Sequence, residues 1–246
     1  SSLYSLVNVN GTLYFAANDG VNGIGLWKSD GTATGTVLVK DIAPDLFTNI
    51  NGTIFFQGSD VAHGAELWKT DGTTTGTVLV KDIRPNSFGS SPTWLTNVNG
   101  TLYFVANDGN FGFELWKSDG TASGTVQVKD IRTGGLSSSP NWLTNLNGTL
   151  CFVALGASGR ELWKSDGTEA GTVQVKDIFP GLGGGFPALL TNVNGTLYFR
   201  ADDGVNGTEL WKSDGTAAGT VLVKDIASGS YTSLPDLLAN INGTLF

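Results

Sequence analysis

The chain has 246 residues, 40% hydrophobic and only 15% charged, with 35 glycines, seven tryptophans and a formal net charge of −8. A composition this poor in charge and rich in glycine suits an all-β protein with many tight turns and argues against a helical bundle. The acidic balance speaks against nucleic acid and anionic membranes, which need a basic face to displace counterions, and no apolar run approaches the roughly 18 residues of a membrane span.

The chain opens at Ser1-Ser2-Leu3 and contains no Met, so it reads as a mature or excised piece of a longer protein. Leu3–Asn10 is the first short strand, closed by Asn10-Gly11, the dipeptide of a type I′ hairpin turn. An outer hairpin follows at residues 25–42, and further hairpins come at 66–83, 114–131, 161–178 and 209–226. Each carries the block Glu-Leu-Trp-Lys-Ser-Asp-Gly-Thr, as in Glu114–Thr121, with Thr70 for Ser in the second copy and Gly25 for Glu in the first. Each continues into Gly-Thr-Val-x-Val-Lys-Asp-Ile, as in Gly124–Ile131. Asn-Gly-Thr recurs at Gly11, Gly52, Gly100, Gly148, Gly195 and Gly243, at intervals of 41, 48, 48, 47 and 48 residues.

A period in the forties with β patterning points to propeller blades rather than helical solenoids. One unit divides into four strands, at 94–98, 101–106, 114–118 and 125–131, separated by Asn-Gly, Asn-Asp-Gly and Asp-Gly breaks. The expected fold is therefore an all-β propeller of about five four-stranded antiparallel blades, one domain over residues 1–246 or a piece of a longer array. A sixth inner strand at 235–246 is an overhang whose unpaired edge could complete a neighbour's blade. The short first interval is either a true deletion or an unobserved loop, and it covers the loop plus part of the second unit's first strand.

Simple alternation in the last hairpin sets Ser118 against Thr125, Trp116 against Gln127 and Glu114 against Lys129. The recurring charges then read as structural ion pairs, Glu66–Lys81, Glu114–Lys129, Glu161–Lys176 and Glu209–Lys224, each contributing ~0.2–1 kcal/mol. The five equivalent tryptophans Trp27, Trp68, Trp116, Trp163 and Trp211 read first as packing between blades. Their alternative is a ring of sugar-stacking sites. Trp94 and Trp142 become Leu189 and Leu237 in later units, a swap that fits core filler.

Asp19, Asp108 and Asp203 stand in Gly-bent loops with the oxygen chemistry of a Ca²⁺ site, the one cofactor candidate; the spacing is not that of an EF-hand, and an Asp-Gly turn needs no metal. The Asn-Gly-Thr sites also fit the N-glycosylation pattern, with the hairpin turn as the simpler reading. Cys151 is expected to be a small core hydrophobe and His63 a surface residue. With one Cys and one His, nucleophilic and zinc chemistry both lack parts.

These blocks resemble the bacterial extracellular repeat family named after Glu-Leu-Trp-x-x-Asp-Gly-Thr, over the whole chain. The resemblance implies a β-propeller array and an extracellular or cell-surface location. It departs at Gly25 and at the short first interval. The loops at 85–91, 133–139 and 180–186 vary while the strands hardly change, which fits a scaffold with one variable rim. The expected function is a non-enzymatic structural, adhesion or protein-interaction module, with other proteins or copies of itself as partners. Multivalent binding of glycans is the alternative, and a hydrolase using channel carboxylates trails both.

Overall fold

The computed structural model describes residues 4–21 and 23–246; Leu3, which opens the expected first strand, lies outside them. No helix occurs among the described residues, and none is long and apolar enough to cross a membrane. The first antiparallel sheet holds β1 (Tyr4–Val9), β2 (Thr12–Asn18), β3 (Ile24–Ser29) and β4 (Val37–Lys40) in chain order. The second holds β5 (Ala43–Ile50), β6 (Thr53–Asp60), β7 (Gly64–Thr70) and β8 (Val78–Lys81). β9 (Thr93–Val98), β10 (Thr101–Asn107), β11 (Phe113–Ser118) and β12 (Val126–Lys129) make the third. The fourth holds β13 (Asn141–Leu146), β14 (Thr149–Gly156), β15 (Gly159–Ser165) and β16 (Val173–Lys176). The fifth holds β17 (Ala188–Val193), β18 (Thr196–Asp202), β19 (Thr208–Ser213) and β20 (Val221–Lys224), and β21 (Asn240–Ile241) with β22 (Thr244–Leu245) form a small sixth.

The turns explain why the chain folds back where it does. Asn99 and Gly100 both have positive φ, 52° and 85°, the type I′ geometry whose twist matches the flanking strands. The same pair of signs recurs at Asn10-Gly11, Asn51-Gly52, Asn147-Gly148, Asn194-Gly195 and Asn242-Gly243. In the later repeats the Asn amide also donates to the next turn, as Asn147 Nδ2 does to Gly195 O at 3.2 Å and Asn194 Nδ2 to Gly243 O at 2.8 Å. The Asn therefore serves turn and neighbour together.

The chain divides into two compact units, residues 1–112 with 116–127 and residues 113–115 with 128–246, and the division passes through the third sheet. In the first unit Phe55, Leu67, Val80, Leu102, Phe104 and Trp116 form one core cluster, and Leu26, Val39, Phe56 and Trp68 another. In the second, Leu162, Val175, Leu197, Phe199 and Trp211 make the core. The Phe of each Leu-x-Phe strand is fully out of water from the second sheet onward, at Phe56, Phe104, Phe152 and Phe199. Each such ring contributes about 1.5–3 kcal/mol by burial. Cys151 takes the place of the Tyr in this strand and is fully buried as expected, with its thiol pushed up to about 12 by burial.

Two irregularities recur. The first strands bulge next to residues of positive φ, among them Leu46, Trp94, Trp142 and Leu189. Trp94 departs from its reading as core filler, since it is 39% exposed, and the equivalent Leu46 and Leu237 are 38% and 84% exposed. Trp142 is half-buried and packs against the core cluster of the second unit, as that reading expects. The third and fourth strands also bulge. Trp163 faces Gln174 as alternation requires, but Leu162 faces Lys176, so Val175 is the extra residue. The same shift occurs at Leu26/Trp27, Leu67/Trp68 and Leu210/Trp211.

The short first interval is a missing loop alone. β5 follows β4 after two residues and is complete, pairing from Ala43↔Ser59 to Ile50↔Thr53. The expectation that part of this strand is also lost is thereby corrected.

Candidate functional site

The bulge decides what the recurring charges do. One extra residue on the fourth strand turns its lysine away from the Glu and toward the following repeat. The expected ion pairs Glu66–Lys81, Glu114–Lys129, Glu161–Lys176 and Glu209–Lys224 accordingly do not form. Lys81 Nζ instead donates to Thr125 O at 2.7 Å, Lys40 to Thr77 O at 2.8 Å, Lys129 to Thr172 O at 2.9 Å and Lys176 to Thr220 O at 2.7 Å. On the way Lys40, Lys81 and Lys176 pass over the next Trp ring, 5.5–6.0 Å from its centroid. A second lysine reaches the same turn, as Lys28 Nζ to Gly72 O at 2.9 Å, Lys69 to Gly120 O at 2.8 Å and Lys164 to Gly215 O at 3.0 Å. Two ammonium groups of one repeat thus hold two carbonyls of the next. Each such charge-assisted bond contributes about 1–2 kcal/mol.

The turn they hold is built to keep those carbonyls fixed. Asp119 Oδ1 accepts from Thr121 N and Oγ1, both at 2.8 Å, and Thr121 Oγ1 accepts from Gly124 N at 2.9 Å. A Cβ on Gly124 would lie 2.1 Å from Asp119 Oδ1, which is why the second Gly of the block is Gly. The hydrogen bonds from the Thr hold Asp30, Asp71, Asp119 and Asp214 below the usual carboxylate range.

The glutamates anchor loops. Glu114 accepts from Ser138 N at 2.7 Å, Ile131 N at 3.2 Å and the Ser138 hydroxyl. Glu66 takes Ser90 N and Arg84 N, each at 2.9 Å; Glu161 takes Gly185 N at 2.7 Å, Ile178 N at 3.1 Å and Phe179 N at 3.4 Å; and Glu209 takes Ser233 N at 3.0 Å. The anchored residue stands 24 positions after the Glu in all four repeats. The first repeat has Gly25 instead, and that repeat also lacks the loop. Glu and loop are therefore two halves of one contact, present or absent together. Sequence reasoning missed the anchored member; its signal is the Pro two residues later, at Pro92, Pro140, Pro187 and Pro235.

Burial sets the sign of the titration. Burial raises Glu66, Glu114 and Glu161, Glu114 to about 7. Burial also raises Glu209, in the last full sheet, but the hydrogen bonds from Ser233, Ile226 and Ala227 together outweigh it and the net shift is downward. Because the folded value of Glu114 lies above the ordinary 4.5, its contribution is full below pH 4.5 and is lost as pH rises toward about 7. Glu114→Gln should thus cost more stability at pH 5 than at pH 8, measured by urea unfolding at both pH values. A constant difference would show the carboxyl ionised throughout.

Trp68, Trp116, Trp163 and Trp211 are 5–8% exposed and Trp27 is half-buried. Phe104 and Phe152 lie 6.4 and 6.5 Å from the Trp116 and Trp163 rings. Four indoles closed off in this way offer no face to a sugar, which corrects their reading as ligand-binding residues. Asp19, Asp108 and Asp203 each accept amides of their own loop, Val21 N, Asn110 N and Val205 N at 2.8–2.9 Å. These are turn contacts, and no group of three His, Cys, Asp or Glu gathers among the described residues. His63 is 36% exposed and hydrogen-bonds Asp60 at 2.9 Å, which raises its pKa.

Two hollows remain. In the first unit one of about 430 Å³ is lined by Leu46, Phe47, Trp94 and Leu95 with Thr48 and Thr93, and carries no charge. In the second unit one of about 350 Å³ is lined by Asn141, Trp142, Arg160, Phe186, Arg200 and Leu234.

No protein-family model matches the chain, and no curated protein does. Among solved structures it is similar to the computationally designed Ika8 protein, with a TM-score of 0.52 and 14% identity over all of this chain and 70% of that one. It is similar to prolyl oligopeptidase B from Galerina marginata, with a TM-score of 0.55 and 11% identity over 87% of this chain and 32% of that one. It is also similar to a puromycin-hydrolyzing peptidase of Mycobacterium tuberculosis, with a TM-score of 0.53 and 13% identity over 91% and 37% of the two chains. The chain spans about a third of the length of these peptidases. At such identities the likeness is one of fold, and the four-stranded sheets are blades of a β-propeller-like repeat.

Proposed function

We propose that the chain is a non-enzymatic structural and protein-interaction module of an extracellular or cell-surface protein. The observation that carries this reading is the fate of the recurring polar residues. Glu, both lysines, and the Asp and Thr of the turn are all engaged in holding one blade to the next or a loop to its blade. A repeat that spends its chemistry on its own junctions is suited to stiffness and to display of variable loops, not to turnover. The extracellular placement follows the resemblance of the Glu-Leu-Trp-x-x-Asp-Gly-Thr block.

The surface offered to a partner is the rim of variable loops at 85–91, 133–139 and 180–186, which differ among repeats while the strands hardly change. Saturable turnover of ester, peptide or glycoside substrates, surviving repurification, would sink the non-enzymatic reading.

A further inference from the structure

The hollow of the second unit that Arg160 and Arg200 line breaks the repetition. Most features of the chain recur, but Arg160 and Arg200 do not. Where Arg160 stands, the neighbouring repeats have Ala65, Phe113 and Thr208; where Arg200 stands, they have Gln57, Val105 and Val153. Both arginines line the same cavity of about 350 Å³, a size within the about 300–1,000 Å³ of small-ligand sites. The matching hollow in the first unit has no charge among its lining residues.

Each guanidinium is held by one edge and keeps donors to spare. Arg160 Nη1 donates to Ser139 O at 3.1 Å, and Arg200 Nη1 to Pro235 O at 3.4 Å, with Asp236 Oδ1 at 3.7 Å from the same nitrogen. An arginine has five N–H donors, so most of both forks stays available. Asp236 is 66% exposed and offsets part of one charge, which leaves the cavity cationic in a chain of net charge −8. Asn141 Oδ1, also at the cavity, is buried with no hydrogen-bond partner, an acceptor waiting for a donor. Trp142 and the 60% exposed Phe186 supply aromatic walls.

We propose that this cavity binds an acidic sugar, a hexuronate unit of an anionic polysaccharide. The carboxylate is the partner a guanidinium fork takes in two parallel bonds. The ring hydroxyls supply the donor that Asn141 Oδ1 lacks, and the apolar face of the ring packs on Trp142 and Phe186. One such site per chain is the expected stoichiometry, unlike a multivalent ring. The site does not depend on the scaffold reading, since a structural module can carry one ligand pocket.

The test is calorimetric titration of the whole chain with tri-galacturonate at low salt, beside neutral maltotriose and a tripeptide with a free carboxylate. Expected are one-to-one binding of the uronate, weakening with salt, and at least about tenfold weaker binding of maltotriose. Arg200→Val and Arg160→Thr install residues the repeat already carries at equivalent positions, so both should melt near the parent temperature. Each should lose about tenfold or more in uronate affinity, the range of a charge-assisted pair. Trp94→Leu, in the uncharged hollow, should leave affinity unchanged. Unchanged affinity in folded Arg200→Val, equal binding of maltotriose, tighter binding of the tripeptide, or no uronate binding up to about 10 mM would each overturn the proposal.

Discussion

Trp116→Ala is expected to remove about 3–5 kcal/mol of stability, the range for deleting a large buried ring. The indole is 6% exposed and packs in the cluster of Phe55, Leu67, Leu102 and Phe104. It also carries Lys81, whose ammonium lies 6.0 Å from the ring centroid on its path to Thr125 O. Truncation therefore opens a cavity and removes the surface that guides one lysine of the junction. Urea unfolding should show a lower midpoint at unchanged slope. Trp94→Ala, at a 39% exposed bulge position, should cost far less. Near-equal losses at the two sites would refute the division of the tryptophans into packing and lining residues.

Glu161→Ala should cost about 2–4 kcal/mol, because it leaves buried backbone donors without an acceptor. Gly185 N, Ile178 N and Phe179 N all point at this carboxylate. The loss should be local as well as global: amides 178–185 should gain hydrogen exchange before the strands do, and a protease should cut there first. The reverse substitution is informative. Gly25→Glu adds a Glu where the loop is absent, and its Cβ would meet Leu38 Cδ1 at 2.6 Å and Lys40 O at 3.3 Å. It should destabilise, although it restores the block to the form the other four repeats carry. A stabilised Gly25→Glu would show that the Glu acts without its loop.

The blades were legible in the sequence because their signals are local. Asn-Gly and Asp-Gly dictate turn geometry from within two residues, and the period then multiplies one hairpin into an array. The lysine contacts were not legible, because alternation assumes one residue against one. A single bulge at Val175 and its equivalents moves Lys176 from beside Glu161 to opposite Leu162. The first-interval deletion was misplaced for want of a second marker. Pro44, Pro92, Pro140, Pro187 and Pro235 stand 48, 48, 47 and 48 residues apart, so the missing segment lies wholly before Pro44. Arg160 and Arg200 carry no such signal, since periodicity marks only what recurs and each of them occurs once in its repeat position.

The junction between blades also bears on how such a chain changes length over generations. Every contact of the lysine pair runs from one unit to the unit after it, and none requires a residue particular to one copy. Gain or loss of a whole repeat by unequal recombination recreates the same junction on both sides of the seam, with no compensating substitution. A partial deletion survives only where it removes both members of a contact, as the loop before Pro44 and the carboxylate absent at Gly25 illustrate. Copy number is therefore the freely adjustable quantity in this architecture, and the reach of the displayed surface changes in increments of one blade.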